Sequence, residues 1–225
     1  MGVFVFMKLD LGSNILLFLP PKEGAYPLLT IFGGMAYANP EWMAKQLSEE
    51  YFSQSILLIV PYTETYTTAL NFAQPKIDEK GYKVNDKSIM GFSAGGYDVQ
   101  ENFSDEFKFI GLIDPSVKSA YIDLPFDKRV FMLYNDNNWG KYPTIRSLQP
   151  QFAEKINENG GKAVLSKLPH DEIPKEFFKQ FKSEMLKTTT LFKGGANAKG
   201  VWLMISSATM LVGVVGYLIY RRLRS

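Results

Sequence analysis

The sequence predicts an α/β fold for residues 1–187, with a mainly parallel β-sheet covered by helices on both faces. Short, continuously apolar runs alternate with longer polar segments of helical character through most of this region. Strands that are apolar on both faces are typical of a buried parallel sheet. A composition of 46% apolar and 14% aromatic residues is sufficient for the packed core of one ordinary domain.

The first half of this region is predicted to begin with a hairpin and then to alternate between strands and helices. The runs VFVFMKL and NILLFLP flank turn residues at 10–13, which favours a hairpin. YPLLTIFGG follows as a buried strand. Asn39 and Pro40 are typical of a helix N-terminus, so EWMAKQLSEEYF is predicted to be one helix. SILLIVPY is the next strand, and residues 65–80 are predicted to form a helix with a break at Pro75.

The second half continues the alternation. KSIMGFS is a strand, AGGYDVQENF a helix, and KFIGLIDPS and RVFMLYND are two further strands. Residues 143–159 have apolar side chains at helical spacing and end at two glycines. KAVLSKL is the last strand, and residues 174–187 form the last predicted helix.

Composition excludes several kinds of site and partner. The chain has no cysteine, so thiolate metal ligands and a cysteine nucleophile are excluded. His170 is the only histidine, which excludes a multi-histidine metal centre and leaves one imidazole for general base catalysis. We therefore expect neither a metal nor another cofactor. Residues 1–186 contain 19 basic and 23 acidic residues without a basic stripe, so no nucleic-acid partner is expected.

The C-terminal part is predicted to be a membrane anchor. Residues 201–220, VWLMISSATMLVGVVGYLIY, contain no charge, and a helix of this length spans roughly 30 Å of hydrocarbon. Trp202 and Tyr220 stand near its ends, where interfacial aromatics are common. We expect this segment to span a lipid bilayer, although a buried core helix is the alternative. Residues 188–200 are predicted to be a flexible linker and residues 221–225 a basic tail.

The orientation of this anchor does not follow from charge. Three lysines from position 187 onward precede the segment and three arginines follow it, so the positive-inside rule favours neither side. The first residues lack the charged start and the long apolar stretch of a signal peptide. We therefore expect a single-pass protein whose globular domain stays on the cytoplasmic side.

Candidate catalytic residues follow three predicted strands. Ser93 lies in Gly91-Phe92-Ser93-Ala94-Gly95, a G-x-S-x-G pattern, while Asp136 and His170 follow later strands. The carboxyl ends of parallel strands meet at one edge of a sheet, so these side chains are expected to lie close together. A serine hydroxyl becomes nucleophilic when an imidazole takes its proton and a carboxylate orients that imidazole. The alternative for Ser93 is a small residue in a turn.

The sequence resembles the α/β-hydrolase superfamily over about residues 1 to 187, and the resemblance depends on three segments. GYKVNDKSIMGFSAGG resembles the strand and nucleophile elbow of its esterases, YPLLTIFGGMAY their oxyanion loop, and LPHDEIPKEFF their histidine loop and closing helix. Phe32 stands where many members have a histidine. The resemblance implies a three-layer α/β-hydrolase sandwich, and the short segment 115–128 implies a minimal lid or none.

The resemblance also implies residue roles. Ser93 would be the nucleophile and His170 the general base, and the backbone amide of Ala94 would form an oxyanion hole with that of Gly34 or, as a second choice, Met35. All five residues lie within the three motif segments.

The acid of the triad has more than one candidate under the same resemblance. Asp136 is the first choice. Asp114, at the end of the preceding strand, is the alternative, because some lipases carry their acid there. A site that lacks an acid altogether is the third.

Two classes of function follow. The first is a membrane-anchored serine hydrolase that cleaves a carboxylic ester or thioester through a Ser-His-Asp triad and an acyl-enzyme, with a small acyl ester or lipid-like substrate. The second is a catalytically inactive α/β-hydrolase domain that serves as an interaction or structural module on a membrane. Peptidases and acyltransferases use the same machinery, so the motifs do not separate them from esterases.

Overall fold

An eight-stranded β-sheet forms the centre of the structure, a computed structural model that describes residues 6–37, 39–121, 124–135 and 147–190. The strand order across the sheet is β1-β2-β4-β3-β5-β6-β7-β8. The strands are β1 (Met7–Asp10), β2 (Leu16–Leu19), β3 (Ala25–Phe32), β4 (Ile56–Val60), β5 (Lys83–Phe92), β6 (Phe107–Ile113), β7 (Val130–Asn135) and β8 (Lys162–Ser166).

Strand direction agrees with the predicted sheet. β1 and β2 form an antiparallel hairpin, and β2 pairs with β4 in the antiparallel direction. All neighbouring pairs from β4 to β8 are parallel. The predicted opening hairpin and the mainly parallel sheet are therefore confirmed, and the carboxyl ends of β3 to β8 meet at one edge.

Seven α-helices accompany the sheet in the described part of the chain. They are α1 (Pro40–Ala44), α2 (Glu49–Gln54), α3 (Tyr66–Glu79), α4 (Gly96–Glu101), α5 (Gln149–Glu158), α6 (Ile173–Gln180) and α7 (Lys182–Thr190). Short 3-10 helices follow β3 at Met35–Tyr37, β5 at Ser93–Gly95 and β6 at Ser119–Tyr121.

The helices lie on both faces of the sheet because successive strand residues point to opposite sides. On one face, Leu28, Ile89 and Leu112 pack in a buried cluster with side chains of α3, α4 and α5. On the other face, Leu29 and Met90 belong to a second buried cluster, with side chains of α1, α2, α6 and α7. Three layers result, as expected from strands that are apolar on both faces.

Two predicted helices are each divided in two. The segment predicted as one helix from Glu41 forms α1 and α2, because Ser48 followed by two glutamates provides a second helix start. The last predicted helix is divided at Phe181, which ends α6. The Phe181 ring is fully buried, with its centroid 4.9 Å from that of Phe177.

The predicted break at Pro75 is wrong, since α3 runs through this residue without interruption. Proline removes one helical hydrogen bond, and the carbonyl left without a donor belongs to Asn71, four residues earlier. Both Asn71 and Pro75 are exposed. Water can therefore hydrate the free carbonyl, and the helix continues.

The membrane anchor predicted for residues 201–220 lies outside the described residues, as does the tail at 221–225. Within the described ranges, no helix has both the length and the apolar character needed to cross a bilayer. Residues 188–190, predicted to begin the linker, continue α7. The remaining linker residues also lie outside the described part.

Candidate active site

Ser93 occupies a sharp turn between β5 and α4. Its φ angle is +53°, a left-handed conformation that is unfavourable for a residue with a side chain. The two motif glycines explain why the turn closes. A Cβ atom on Gly91 would lie 2.1 Å from the Gly95 carbonyl oxygen, and one on Gly95 would lie 2.7 Å from the Gly33 carbonyl oxygen. This strand, strained serine and helix are the geometry of a nucleophile elbow.

His170 lies in the turn that connects β8 to α6, and its side chain is buried. Its ring centroid is 4.5 Å from that of Phe92, with 30° between the ring planes. In the same buried cluster, the Phe92 ring also stacks with Trp42, with 5.6 Å between the ring centroids. Because Phe92 immediately precedes Ser93, the contact between Phe92 and His170 fixes the imidazole beside the elbow.

Asp114 is the carboxylate that pairs with His170 in the structure. Asp114 follows the last residue of β6, is 1% exposed, and its Oδ2 atom lies 2.5 Å from Nδ1 of His170. An ionised carboxylate only accepts hydrogen bonds, so Nδ1–H donates and Nε2 is left as the basic nitrogen. This tautomer is the one that a general base needs to remove a proton from a serine hydroxyl.

The loop after β3 runs alongside the elbow. A Cβ atom on Gly34 would lie 2.8 Å from the Ser93 Cβ atom, so only glycine fits beside the serine. The Gly33 amide donates to the Val60 carbonyl at 2.8 Å. The Gly34 and Met35 amides have no acceptor within the described ranges. As far as the described residues are concerned, both amides can donate to a bound group, as an oxyanion hole requires.

Solved structures of other proteins have the same arrangement of strands and helices. Est1E from Butyrivibrio proteoclasticus superposes with a TM-score of 0.53 at 16% identity, covering 81% of this chain and 99% of its own. A predicted CIB-like hydrolase from Thermoplasma acidophilum gives 0.55 at 15% identity, covering 82% of this chain and 99% of its own. An S-formylglutathione hydrolase from Agrobacterium tumefaciens gives 0.58 at 13% identity, covering 84% and 96%.

The chain has the α/β-hydrolase fold. At these identities the likeness shows the fold alone, and the site has to support any function. By sequence, no family model and no curated protein matches the chain.

The α/β-hydrolase sheet brings most of the predicted site residues together. Ser93, His170 and the alternative acid Asp114 follow β5, β8 and β6 at the same sheet edge. The Gly34 and Met35 loop follows β3, next to β5, and Ala94 lies inside the elbow. Asp136, the first choice for the acid, lies outside the described residues.

Two polar residues near the candidate site were not predicted from the sequence. The Asn135 backbone amide donates to Oδ1 of Asp114 at 3.3 Å, and its side-chain amide donates to the Leu168 carbonyl at 2.6 Å. Gln149, the first residue of α5, donates to the same Oδ1 atom at 3.0 Å. The only sequence signal was the presence of an amide side chain at the end of an apolar strand or near a helix start, which is too common to indicate a site.

A further carboxyl group with altered acidity lies on α4, the helix that follows the elbow. Burial, followed by the nearby charge of Glu101, raises the pKa of Asp98 to about 7. Lys118 pairs with Glu101 at 2.5 Å and lies over the Tyr97 ring at 4.7 Å. Near neutral pH, Asp98 therefore exchanges a proton more readily than an ordinary aspartate.

No group of three histidine, aspartate or glutamate side chains in the described part of the chain is placed to hold a metal ion. The polar groups of the site are instead a hydroxyl, an imidazole, a carboxylate and backbone amides. Such a set suits nucleophilic acyl transfer.

Proposed function

We propose that the chain is a serine hydrolase that cleaves a carboxylic ester or thioester. The supporting observation is the buried Asp114–His170 pair, with 2.5 Å between Oδ2 and Nδ1, at the same sheet edge as a serine whose φ is +53°. A strained serine next to an oriented imidazole is the arrangement that activates a hydroxyl nucleophile. The fold agrees, because two of the similar solved structures are named hydrolases.

In the proposed reaction, Oγ of Ser93 attacks the acyl carbon while Nε2 of His170 accepts the hydroxyl proton. Asp114 accepts a hydrogen bond from Nδ1–H throughout and stabilises the imidazolium. The oxyanion accepts hydrogen bonds from the amides of Ala94 and Gly34, with Met35 as the alternative donor.

Collapse of this intermediate breaks the bond to the leaving alcohol or thiol, which takes the proton from His170. An acyl-enzyme on Ser93 remains. His170 then removes a proton from water, and the resulting attack releases the acid and restores the serine.

The substrate that we propose is a small acyl ester or a lipid-like ester. Met35 directly follows Gly34 and is 59% exposed, so an apolar side chain is available next to the proposed oxyanion site. An acyl chain that contacts Met35 would remove apolar surface from water, which favours binding.

We also propose that residues 201–220 anchor the chain in a lipid bilayer, with the hydrolase domain on the cytoplasmic side. The support is the uninterrupted run of uncharged residues at these positions. Such an anchor would place the site close to membrane lipids.

The test is reaction of the full chain, purified in a mild detergent, with a fluorophosphonate probe. We expect the wild type and Ser183→Ala, at an exposed serine on α7, to be labelled. Ser93→Ala and His170→Ala should not react. If the folded wild type is not labelled, the hydrolase proposal is wrong, and an inactive interaction or structural module is the alternative that remains.

A further inference from the structure

Gln149 is a buried amide in contact with the acid of the proposed triad. It is the first residue of α5, 1% exposed. Its Nε2 atom lies 3.0 Å from Oδ1 of Asp114 and 2.8 Å from the carbonyl oxygen of Pro115. An NH2 group has two hydrogens, so both contacts can form at once. One side chain thus bonds the carboxylate and the backbone that follows it.

The two oxygens of Asp114 are held from different sides. Oδ2 contacts His170, while Oδ1 accepts from Gln149 and from the backbone amide of Asn135. Rotation of the carboxylate away from the imidazole would break the contacts at Oδ1. Among these three partners in the described part of the chain, the neutral donors come from α5 and β7, and the titratable group comes from the turn before α6.

We propose that Gln149 is a positioning residue that holds the Asp114 carboxylate against His170 and stabilises its negative charge. The inference rests on the proposed function. A buried carboxylate is unfavourable unless hydrogen bonds replace its lost hydration. An arginine or lysine at this position could donate the same hydrogen bond. Its positive charge would neutralise the carboxylate, however, and so weaken the attraction between Asp114 and an imidazolium. An uncharged amide supplies the hydrogen bond and leaves that attraction in place.

A measurable consequence concerns proton uptake by the Asp114–His170 pair. Hydrogen bonds to a carboxylate favour its ionised form. Without the Gln149 amide, the pair that contains the carboxylate and a neutral imidazole becomes less stable relative to the form with one more proton. The apparent pKa of the pair then rises. If the carboxylate takes the proton, the reason is that its ionised form has lost a donor; if the imidazole takes it, the reason is that a carboxylate with one donor fewer attracts the imidazolium more strongly. A purely structural role in packing α5 does not predict this rise.

The test uses the fact that His170 is the chain's only histidine. The full chain, labelled at histidine with ¹⁵N and ¹³C in a mild detergent, gives imidazole NMR signals from one residue, which are followed against pH. In Gln149→Met we expect the apparent pKa to rise by about one pH unit, since a hydrogen bond to a charged group is lost. The control is Gln151→Met, an exposed glutamine on the same helix, which should titrate as the wild type.

Kinetics with p-nitrophenyl acetate provide the second measurement. We expect kcat of Gln149→Met to fall by about tenfold with little change in KM, because the loss falls on the orientation of the base and not on substrate binding. If Gln149→Met does not fold, Gln149→Glu preserves the size of the side chain. It places a second carboxyl group against Asp114, so the pKa should again rise.

A folded Gln149 variant whose histidine titrates like the wild type would overturn the inference. The outcome is separable from that of the proposed function. A wild type without hydrolytic activity but with the expected pKa change in Gln149→Met would refute the hydrolase proposal and retain the contact. A wild type with hydrolytic activity, but no change in the apparent pKa of the pair in Gln149→Met, would retain the hydrolase proposal and refute the inference about Gln149.

Discussion

His170 and Asp114 are separated by 56 positions in the chain, yet Nδ1 of the histidine lies 2.5 Å from Oδ2 of the aspartate. Asp114 follows β6 and His170 follows β8, with β7 between these strands in the sheet. The pair therefore reaches across the end of β7, where Asn135 hydrogen-bonds to Asp114 and to the histidine loop.

The first prediction concerns the acid. We expect Asp114→Asn to lower kcat/KM for p-nitrophenyl acetate by about 10³-fold or more, because asparagine can stabilise the wrong imidazole tautomer and carries no charge to support the imidazolium. Asp136→Asn is the matched comparison, at the other predicted acid position, and should retain most of the activity. A large loss in Asp136→Asn with none in Asp114→Asn would assign the acid to Asp136.

The second prediction concerns the strain at the nucleophile. Ser93 has a φ of +53°, which glycine adopts without steric cost. Both Ser93→Gly and Ser93→Ala should be inactive, but the glycine variant should be the more stable by about 1 kcal/mol in urea unfolding. The same two substitutions at Ser88, inside β5, should give the opposite order, because glycine weakens an extended strand. Equal stabilities at position 93 would argue against strain.

The third prediction concerns pH. Burial and the charge of Glu101 raise the pKa of Asp98 to about 7 in the folded chain, from an ordinary value of 3.8. The folded state therefore holds a proton that the unfolded state has lost, and the free energy of unfolding falls as pH rises from about 4 to about 7.

Asp98→Asn removes this dependence. Above pH 7 we expect it to be more stable than the wild type by about 1–2 kcal/mol, allowing for the partial exposure of the side chain, and equal near pH 4. Asp78→Asn, at an exposed position on α3, should show no such pH-dependent difference. Urea unfolding at several pH values measures both, and parallel curves for Asp98→Asn and the wild type would contradict the shift.

The fourth prediction concerns the C-terminal segment. We expect the full chain to remain with membranes after alkaline carbonate extraction, and Leu211→Arg with Val214→Arg to release it, because each arginine near the middle of a span opposes insertion by about 2.5–3.5 kcal/mol. The control, Lys193→Arg with Lys199→Arg outside the span, should remain bound. Release of the wild type by carbonate would exclude a spanning anchor.

The sequence was sufficient for the order of strands and helices, because each parallel strand contains an apolar run, such as ILLIV in β4. It failed at Pro75, where α3 continues, since the exposure of the freed Asn71 carbonyl is a property of the folded helix. Residue propensities in the sequence indicate which local structures are favoured, and exposure to solvent in the folded chain determines which of them forms.

The sequence likewise indicated some of the candidate site residues and not others. Ser93 and His170 could be proposed as candidates from the sequence because each belongs to a motif at a predicted strand end. The contact of Asp114 with His170 was one of several alternatives, as both candidate acids follow strands of the same sheet. Gln149 could not be proposed from the sequence, since its contact with Asp114 depends on α5 placing one amide against a carboxylate 35 positions earlier.

The strand order has a consequence for biosynthesis. Gly34, Ser93, Asp114 and His170 come from four separate strand ends. While position 170 has not yet emerged from the ribosome, the emerged part of this sequence contains no imidazole. Under the proposed mechanism the ribosome-bound intermediate is inert toward esters, and the onset of hydrolysis marks the moment when the last strand has joined the sheet.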